Sequence, residues 1–264
     1  MKNEQIETLL GHLHGYEIGL LEPLPLTGDP QQVDLQTRDA HRETGGRMPW
    51  TNPGDDAASR KAFTRVRDQL ARDGQVEISN GGKTVRLTPE GRDAAARLCG
   101  LPTLADVLPM LDFMADPAND ALRWTGGELS EASLAGLEPT HGQGVVGKCR
   151  LPDAFLPVVD CIMPLLAAGL ADWRPCSYSG LFLYSLTPEG RKLADERRAT
   201  GKAKPSAWPR VRRKFAKIKT RSPAATDSYC DASEAAKQAR ESATLTNSIR
   251  QHLDPSDPPE AATA

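Results

Sequence analysis

The chain has 264 residues, 39% of them apolar and 26% charged, with a net charge of −2 at neutral pH. That length exceeds one small core and suits two compact domains plus tails, and the balance is that of a globular chain rather than a fibre or a disordered polymer. The start, MKNEQIETLL, is charged where a secretory signal would be apolar, the most apolar run, AFLPVVDCIMPLLAAGL, is broken by two prolines and Asp160, and the five cysteines include no CxxC pair, so the expectation is a cytoplasmic protein with reduced thiols, without export, membrane span or zinc.

From the N-terminus, Ile6, Leu9, Leu10 and Leu13 share one face at helical spacing and predict a short helix over residues 3–14. A Pro- and Gly-rich connection runs from Pro23 to about Gly54, in which Asp29-Pro30 is a start signal for another helix. From Asp56 to Arg72, Ala62, Phe63, Val66 and Leu70 line one side of a helix, while Lys61, Thr64, Arg65, Asp68 and Arg72 line the other. Gly74 stops it. QVEISNGGKTVRL then alternates Val76 and Ile78, turns at Asn80-Gly81-Gly82 and resumes with Val85 and Leu87, the pattern of a β-hairpin.

The hexamer LTPEGR closes that hairpin at Leu87 to Arg92 and recurs at Leu186 to Arg191. Its chemistry is that of a strand-to-helix joint. Thr88 can cap a helix whose first residue is Pro89, Glu90 suits the positive end of the helix dipole, and Gly91 lets the helix start close to the hairpin. That helix runs through RDAAARL to Gly100. A second unit starts at Leu101, with Leu104, Val107, Leu108, Leu111 and Met114 at helical spacing. A helix over Glu128 to Leu137 capped by Thr125, a Gly-rich loop and an apolar helix from about Leu156 to Ala168 follow. Gly169, the strand LADW, a turn through RPCSYSG, the strand LFLYSL, the second TPEGR and a last helix then repeat the order of the first unit. The chain reads as mainly α with small β-hairpins, an α+β fold, with units at 1–100 and 101–198.

Positive charge is concentrated at and beyond the end of the second unit. From Arg197 to Arg221 there are eleven Lys and Arg and no acid, in a chain whose total is −2, and such a run suits a polyanionic partner. Residues 199–221 therefore form a basic segment. Arg210, Arg212, Arg213 and Lys214 are its candidate phosphate contacts, and Trp208, Val211, Phe215 and Ile218 can dock it as a short helix. Residues 222–264, rich in Ala, Ser, Thr and Pro, read as a mostly disordered tail.

Helix, glycine, hairpin, LTPEGR and helix in that order resemble winged helix-turn-helix DNA-binding regulators of the MarR-like and PadR-like kind, best over residues 58–98 and more faintly over 156–198. The resemblance implies tandem winged-helix domains, the first of them binding double-stranded DNA, and a transcriptional or mobile-element regulator. It places Ser59, Arg60, Lys61, Thr64 and Arg65 on a recognition helix and Asn80, Gly81, Gly82 and Lys83 at a wing tip, with Arg86 on the same wing. Arg can read guanine edges in the major groove while Lys, Ser and Thr hold phosphates. Asp68 confines contact to the N-terminal half of the helix.

Two departures qualify the resemblance. The connection from Pro23 to Gly54 leaves the first two helices of the motif unplaced. The second copy of the recognition helix, LPVVDCIMPLLAAGL, has no basic residue and contains Asp160 and Pro164. It is expected to pack against protein, whether the first unit, a second copy of the chain or its own core. Val158, Val159, Ile162, Leu165 and Leu166 would form that surface, with Tyr178, Leu181, Phe182 and Tyr184 of the second wing.

An enzyme is not expected. GQGVVGKC at 142–149 has phosphate-loop spacing, but Cys149 stands where Ser or Thr would hold magnesium, and no buried strand precedes it. The five histidines lie without metal-ligand spacing, and no nucleophile, base and oxyanion donors stand together, so neither metal nor cofactor is expected. The alternative to a DNA-binding regulator is a scaffold whose winged helices bind protein while the basic segment touches nucleic acid nonspecifically.

Overall fold

A computed structural model describes residues 3–22, 39, 41–124, 127–134, 152–175, 182–208 and 210–211. Helix α1 (Asn3–Leu21) is followed by a helical turn at 41–43, strand β1 (Met48–Pro49), helix α2 (Ala57–Arg72), the hairpin strands β2 (Val76–Ser79) and β3 (Thr84–Leu87), and helix α3 (Pro89–Leu98). Next come α4 (Leu104–Ala115), a 3-10 turn at Pro117–Leu122, β4 (Arg123–Trp124), β5 (Glu128–Ser130), α5 (Glu131–Leu134), α6 (Pro152–Ala167), β6 (Ala171–Pro175), β7 (Phe182–Leu186) and α7 (Pro188–Ala199). The first antiparallel sheet has the order β1-β3-β2 and the second β4-β5-β7-β6. Without its edge strand β4, the second sheet repeats the order of the first. The described chain is thus mainly helical with two small antiparallel sheets, an α+β fold. No helix among the described residues is long and apolar enough to cross a membrane.

The repeated hexamer makes the same bonds twice. Helix α2 ends on Gly74 at φ +72°, with Gln75 N–H bonded to the Leu70 carbonyl (2.9 Å) and Gly74 N–H to that of Ala71 (3.2 Å). Helix α6 is closed by Gly169 at φ +69°, through Leu170 N–H to Leu165 (2.8 Å) and Gly169 N–H to Leu166 (3.0 Å). Both are Schellman closures, which need a residue at ease in the left-handed region. The Thr88 hydroxyl then donates to the Gly74 carbonyl (2.7 Å) and accepts from Gly91 N–H (3.1 Å). Thr187 does the same with Gly169 (2.7 Å) and Gly190 (3.1 Å). A Cβ on Gly91 would lie 1.8 Å from the Gln75 carbonyl oxygen, and one on Gly190 would lie 1.9 Å from that of Leu170. Glycine is therefore required where each new helix crosses the end of the previous one.

Among the described residues two large apolar cores result, with a small cluster of Tyr16 and Met48 beside them. The first gathers Leu9, Leu10 and Leu13 of α1, Val66 and Leu70 of α2, Val76, Val85 and Leu87 of the hairpin and Ala95 of α3. The second gathers Val107, Met110 and Leu111 of α4, Ile162, Leu165 and Leu166 of α6, Trp173 and Tyr184 of the second hairpin and Ala194 of α7.

Helix α1 enters both cores. It runs past the predicted end at residue 14, and Ile18 and Leu21 in its last turns pack into the second core. Trp173 fixes that end by donating its indole N–H to the Leu21 carbonyl at 3.0 Å. The second core also reaches beyond residue 198, because Trp208 is fully buried and donates its indole N–H to the Leu134 carbonyl at 2.8 Å. The aromatic hairpin faces inward: Tyr184 is fully buried, and Trp173 meets Phe182 edge to face at 5.5 Å. Helix α6 and this hairpin thus fill their own core and cover the end of α1.

The helix predicted over Glu128 to Leu137 needs correction. Residues Glu128–Ser130 form a strand, because Leu129 and Ser130 pair with Tyr184 and Leu183 of β7. The helix starts afterwards, and its cap is Ser130, whose hydroxyl accepts from Ser133 N–H at 3.1 Å. The helix expected after Asp29-Pro30, Thr125, the glycine loop with GQGVVGKC, the side chains of Val158 and Val159, Tyr178, Leu181 and residues 212–264 lie outside the described residues.

Candidate nucleic-acid interface

Residues 50–56 join β1 to α2 without a helix, so the two-helix turn implied by the resemblance does not form there. The loop is instead fitted directly to α2. Asp56 caps the helix by accepting from Ser59 N–H at 2.7 Å. The Asn52 side chain donates to the Arg60 carbonyl (2.9 Å) and the Thr64 hydroxyl (3.2 Å), and accepts from Gly54 N–H (3.0 Å). A Cβ on Gly54 would come within 2.5 Å of Arg60 N, so glycine permits this fit.

These contacts sort the predicted site residues. Thr64 is half-buried and engaged, donating to the Arg60 carbonyl at 2.9 Å while accepting from Asn52. Ser59 is half-buried at the cap. Arg60, Lys61 and Arg65 are exposed and form no ion pair with any described residue. Asp68, exposed on the next turn, is held by Arg67 at 2.7 Å.

The β2–β3 turn is the expected wing tip. Asn80, Gly81 and Gly82 all lie at positive φ (52°, 62° and 90°), and Ser79 and Thr84 hydroxyls meet across its base at 2.6 Å. Asn80, Gly81 and Lys83 are exposed. Arg86 does not belong with them. It stands opposite Glu77 in the hairpin register, pairs with that carboxylate at 2.5 Å and donates to the Gly45 carbonyl at 3.3 Å. Its charge is paired with Glu77 within the hairpin, and its side chain stays part-exposed. In the basic segment, Arg210 is exposed just past the buried Trp208, whereas Arg212, Arg213 and Lys214 lie outside the described residues.

Sequence reasoning missed three buried charges. Arg67, 9% exposed, lies among the apolar residues of α2. Its Nη1 donates to the Gly82 carbonyl (3.0 Å), its Nε and Nη2 to Asp68 (3.0 and 2.7 Å), and its guanidinium lies 4.9 Å from the centre of the Trp50 ring. Glu17 on α1 is fully buried and receives Arg92 at 2.7 and 2.8 Å, with His41 Nε2 at 3.4 Å. Burial alone would raise this carboxyl, but the bonds from Arg92 and the adjacent His41 ring bring it down to about 2. Asp112 on α4 is likewise buried and gripped by Arg197 at 2.8 Å through both oxygens.

The nearby His14 ring is driven down to about 4 by burial. It lines a cavity of about 330 Å³ between the two units, with Arg86, Arg92, Pro164 and Ala167. No group of three His, Cys, Asp or Glu among the described residues is arranged to hold a metal. No protein-family model, curated protein or solved structure matches the chain.

Proposed function

We propose that the chain binds double-stranded DNA through the N-terminal half of α2 and the β2–β3 wing, as the first of two tandem winged-helix domains, and regulates by occupying its site. The observation that carries this reading is the exposed row of Arg60, Lys61 and Arg65, linked through Arg67 to a fixed wing tip with exposed Lys83. The second domain buttresses the first, since Ile18 and Leu21 of α1 pack into its core, and the buried stretch Cys161 to Leu166 of α6 has no face for a DNA groove. Arg210, with Arg212, Arg213 and Lys214, adds phosphate contacts that carry no sequence information.

The test is an anisotropy titration of a duplex selected from a random pool against a scrambled duplex. In the variant R60A/K61A/R65A, preference for the selected duplex should fall at least 10-fold with circular dichroism and melting unchanged, since each good base contact discriminates by about 1–3 kcal/mol. A truncation after Val211, which spares the buried Trp208, should weaken all duplexes alike and flatten the salt dependence by about 0.9 for each phosphate no longer neutralised. Retained discrimination in the folded triple variant would favour the scaffold reading, in which these helices bind protein.

A further inference from the structure

We infer that Arg67 is a positioning residue that fixes the wing against α2 and thereby selects duplex over single-stranded DNA, an inference that rests on the DNA-binding reading above. Arg67 occupies the apolar stripe formed by Phe63, Val66 and Leu70, where an unpaired guanidinium would be costly. Its bonds leave α2 in two directions, to the wing through the Gly82 carbonyl and to the preceding loop through the Trp50 ring. Trp50 closes the circuit, because its backbone N–H donates to the Lys83 carbonyl at 2.8 Å.

Lys83 is therefore bracketed, its preceding carbonyl held by Arg67 and its own by Trp50. The strand β1 pairs only with Val85 and Thr84, at the far side of Lys83 from the turn. The Arg67 bond is thus what fastens the turn itself to the helix that carries Arg60, Lys61 and Arg65. A preset spacing between two contact points favours a partner of fixed geometry. A duplex has one, whereas a single strand adapts its backbone to whatever spacing it meets.

The experiment compares wild type, R67M, R67K, K83A and R67M/K83A on one duplex and on one of its strands over a range of salt. R67M keeps the apolar stem and removes the fork. It should weaken duplex binding about 10-fold, the size of one charge-assisted contact. It should also flatten the salt slope by about 0.9, as K83A does, and leave single-strand binding within about twofold. The double variant should be no weaker than K83A alone, because both remove the same contact.

Hydrogen exchange at Lys83 and Thr84 should speed up in R67M while α2 amides keep their protection. R67K, which keeps the charge and loses the fork, should show the same pattern at smaller size, and it carries the test if R67M does not fold. Additive losses for R67M and K83A, or unchanged exchange at the wing, would overturn the positioning role. Wild-type protein that fails to bind duplex would overturn the DNA reading and this inference together, whereas duplex binding with additive losses overturns the inference alone.

Discussion

The two LTPEGR joints share their backbone bonds and differ in what their arginine does. Arg92 and Arg191 each bond the carbonyl five residues back at 3.4 Å. Arg92 then closes on Glu17 inside the protein, whereas Arg191 is exposed. In the second unit the buried carboxylate is Asp112, and the guanidinium that holds it comes from Arg197, further along α7. Threonine and glycine are dictated by backbone geometry and cannot move. The arginine answers to a buried acid on the first helix of its unit, and any position on the last helix that reaches the acid will serve. A repeated motif thus reports shared architecture more securely than shared side-chain roles, and the contrast between the cationic α2 and the apolar α6 follows the same rule.

The largest expected effect tests the shared half of this comparison. Gly91→Ala and Gly190→Ala each force a Cβ into a carbonyl oxygen, and each should destabilise its unit by about 4 kcal/mol or more in urea unfolding. A large loss at one joint and a small one at the other would show that the joints are not equivalent. The divergent half is tested by arginine replacement. Arg92→Met and Arg197→Met each take the guanidinium from a buried carboxylate, leaving Glu17 beside His41 and Asp112 with the Lys204 N–H, and should each cost about 3–5 kcal/mol, while Arg191→Met should stay within about 0.5 kcal/mol. Equal losses at Arg92 and Arg191 would restore a common role for the hexamer arginine.

The smallest effect distinguishes the units by acid. Burial holds His14 at about 4 against an ordinary 6.5, so between those values the unfolded chain binds the proton and the folded chain does not. Stability should therefore decline as pH falls from 6.5 to 4, by up to about 3 kcal/mol. Glu17, held at about 2 against an ordinary 4.5, extends the decline below pH 4.5. Hydrogen exchange at pH 5 should show α1 and α3 losing protection while α4 and α7, which carry no histidine, keep theirs. Burial also lowers His12 on the same helix, so His14→Leu should reduce the slope without abolishing it, and a uniform loss across both units would contradict the assignment to these α1 histidines.

Much of the local structure was legible because its signals are local. The helix from Asp56, the hairpin at Val76 to Leu87 and both threonine caps follow from spacing, turn residues and capping chemistry within a dozen residues. The missed features are set by distant partners. Glu128 to Ser130 become a strand only because β7 lies beside them, and α1 continues past residue 14 because its end finds Trp173. For the site, exposure of Arg60, Lys61 and Arg65 followed from the helical face, but the capture of Arg86 required the register that sets Glu77 opposite it. One sequence signal could have revealed the buried charges. Arg67 stands between Val66 and Leu70 in the apolar stripe of α2, Glu17 follows Leu10 and Leu13 in that of α1, and Asp112 interrupts Leu108, Leu111 and Ala115 in α4. A charge within an apolar stripe needs a partner inside the protein.

The double allegiance of α1 also shapes how the chain is completed during translation. Its first turns find their partners once α3 has been made, but Ile18 and Leu21 wait for Trp173, 152 residues after Leu21, and for the core that Trp208 completes. At about 5–20 residues per second, the interval between the end of α3 and Trp208 lasts roughly 5 to 20 seconds. Throughout it the emerging chain displays a finished first core with a sticky helical stub, a surface open to chaperones until the ribosome has delivered Trp208.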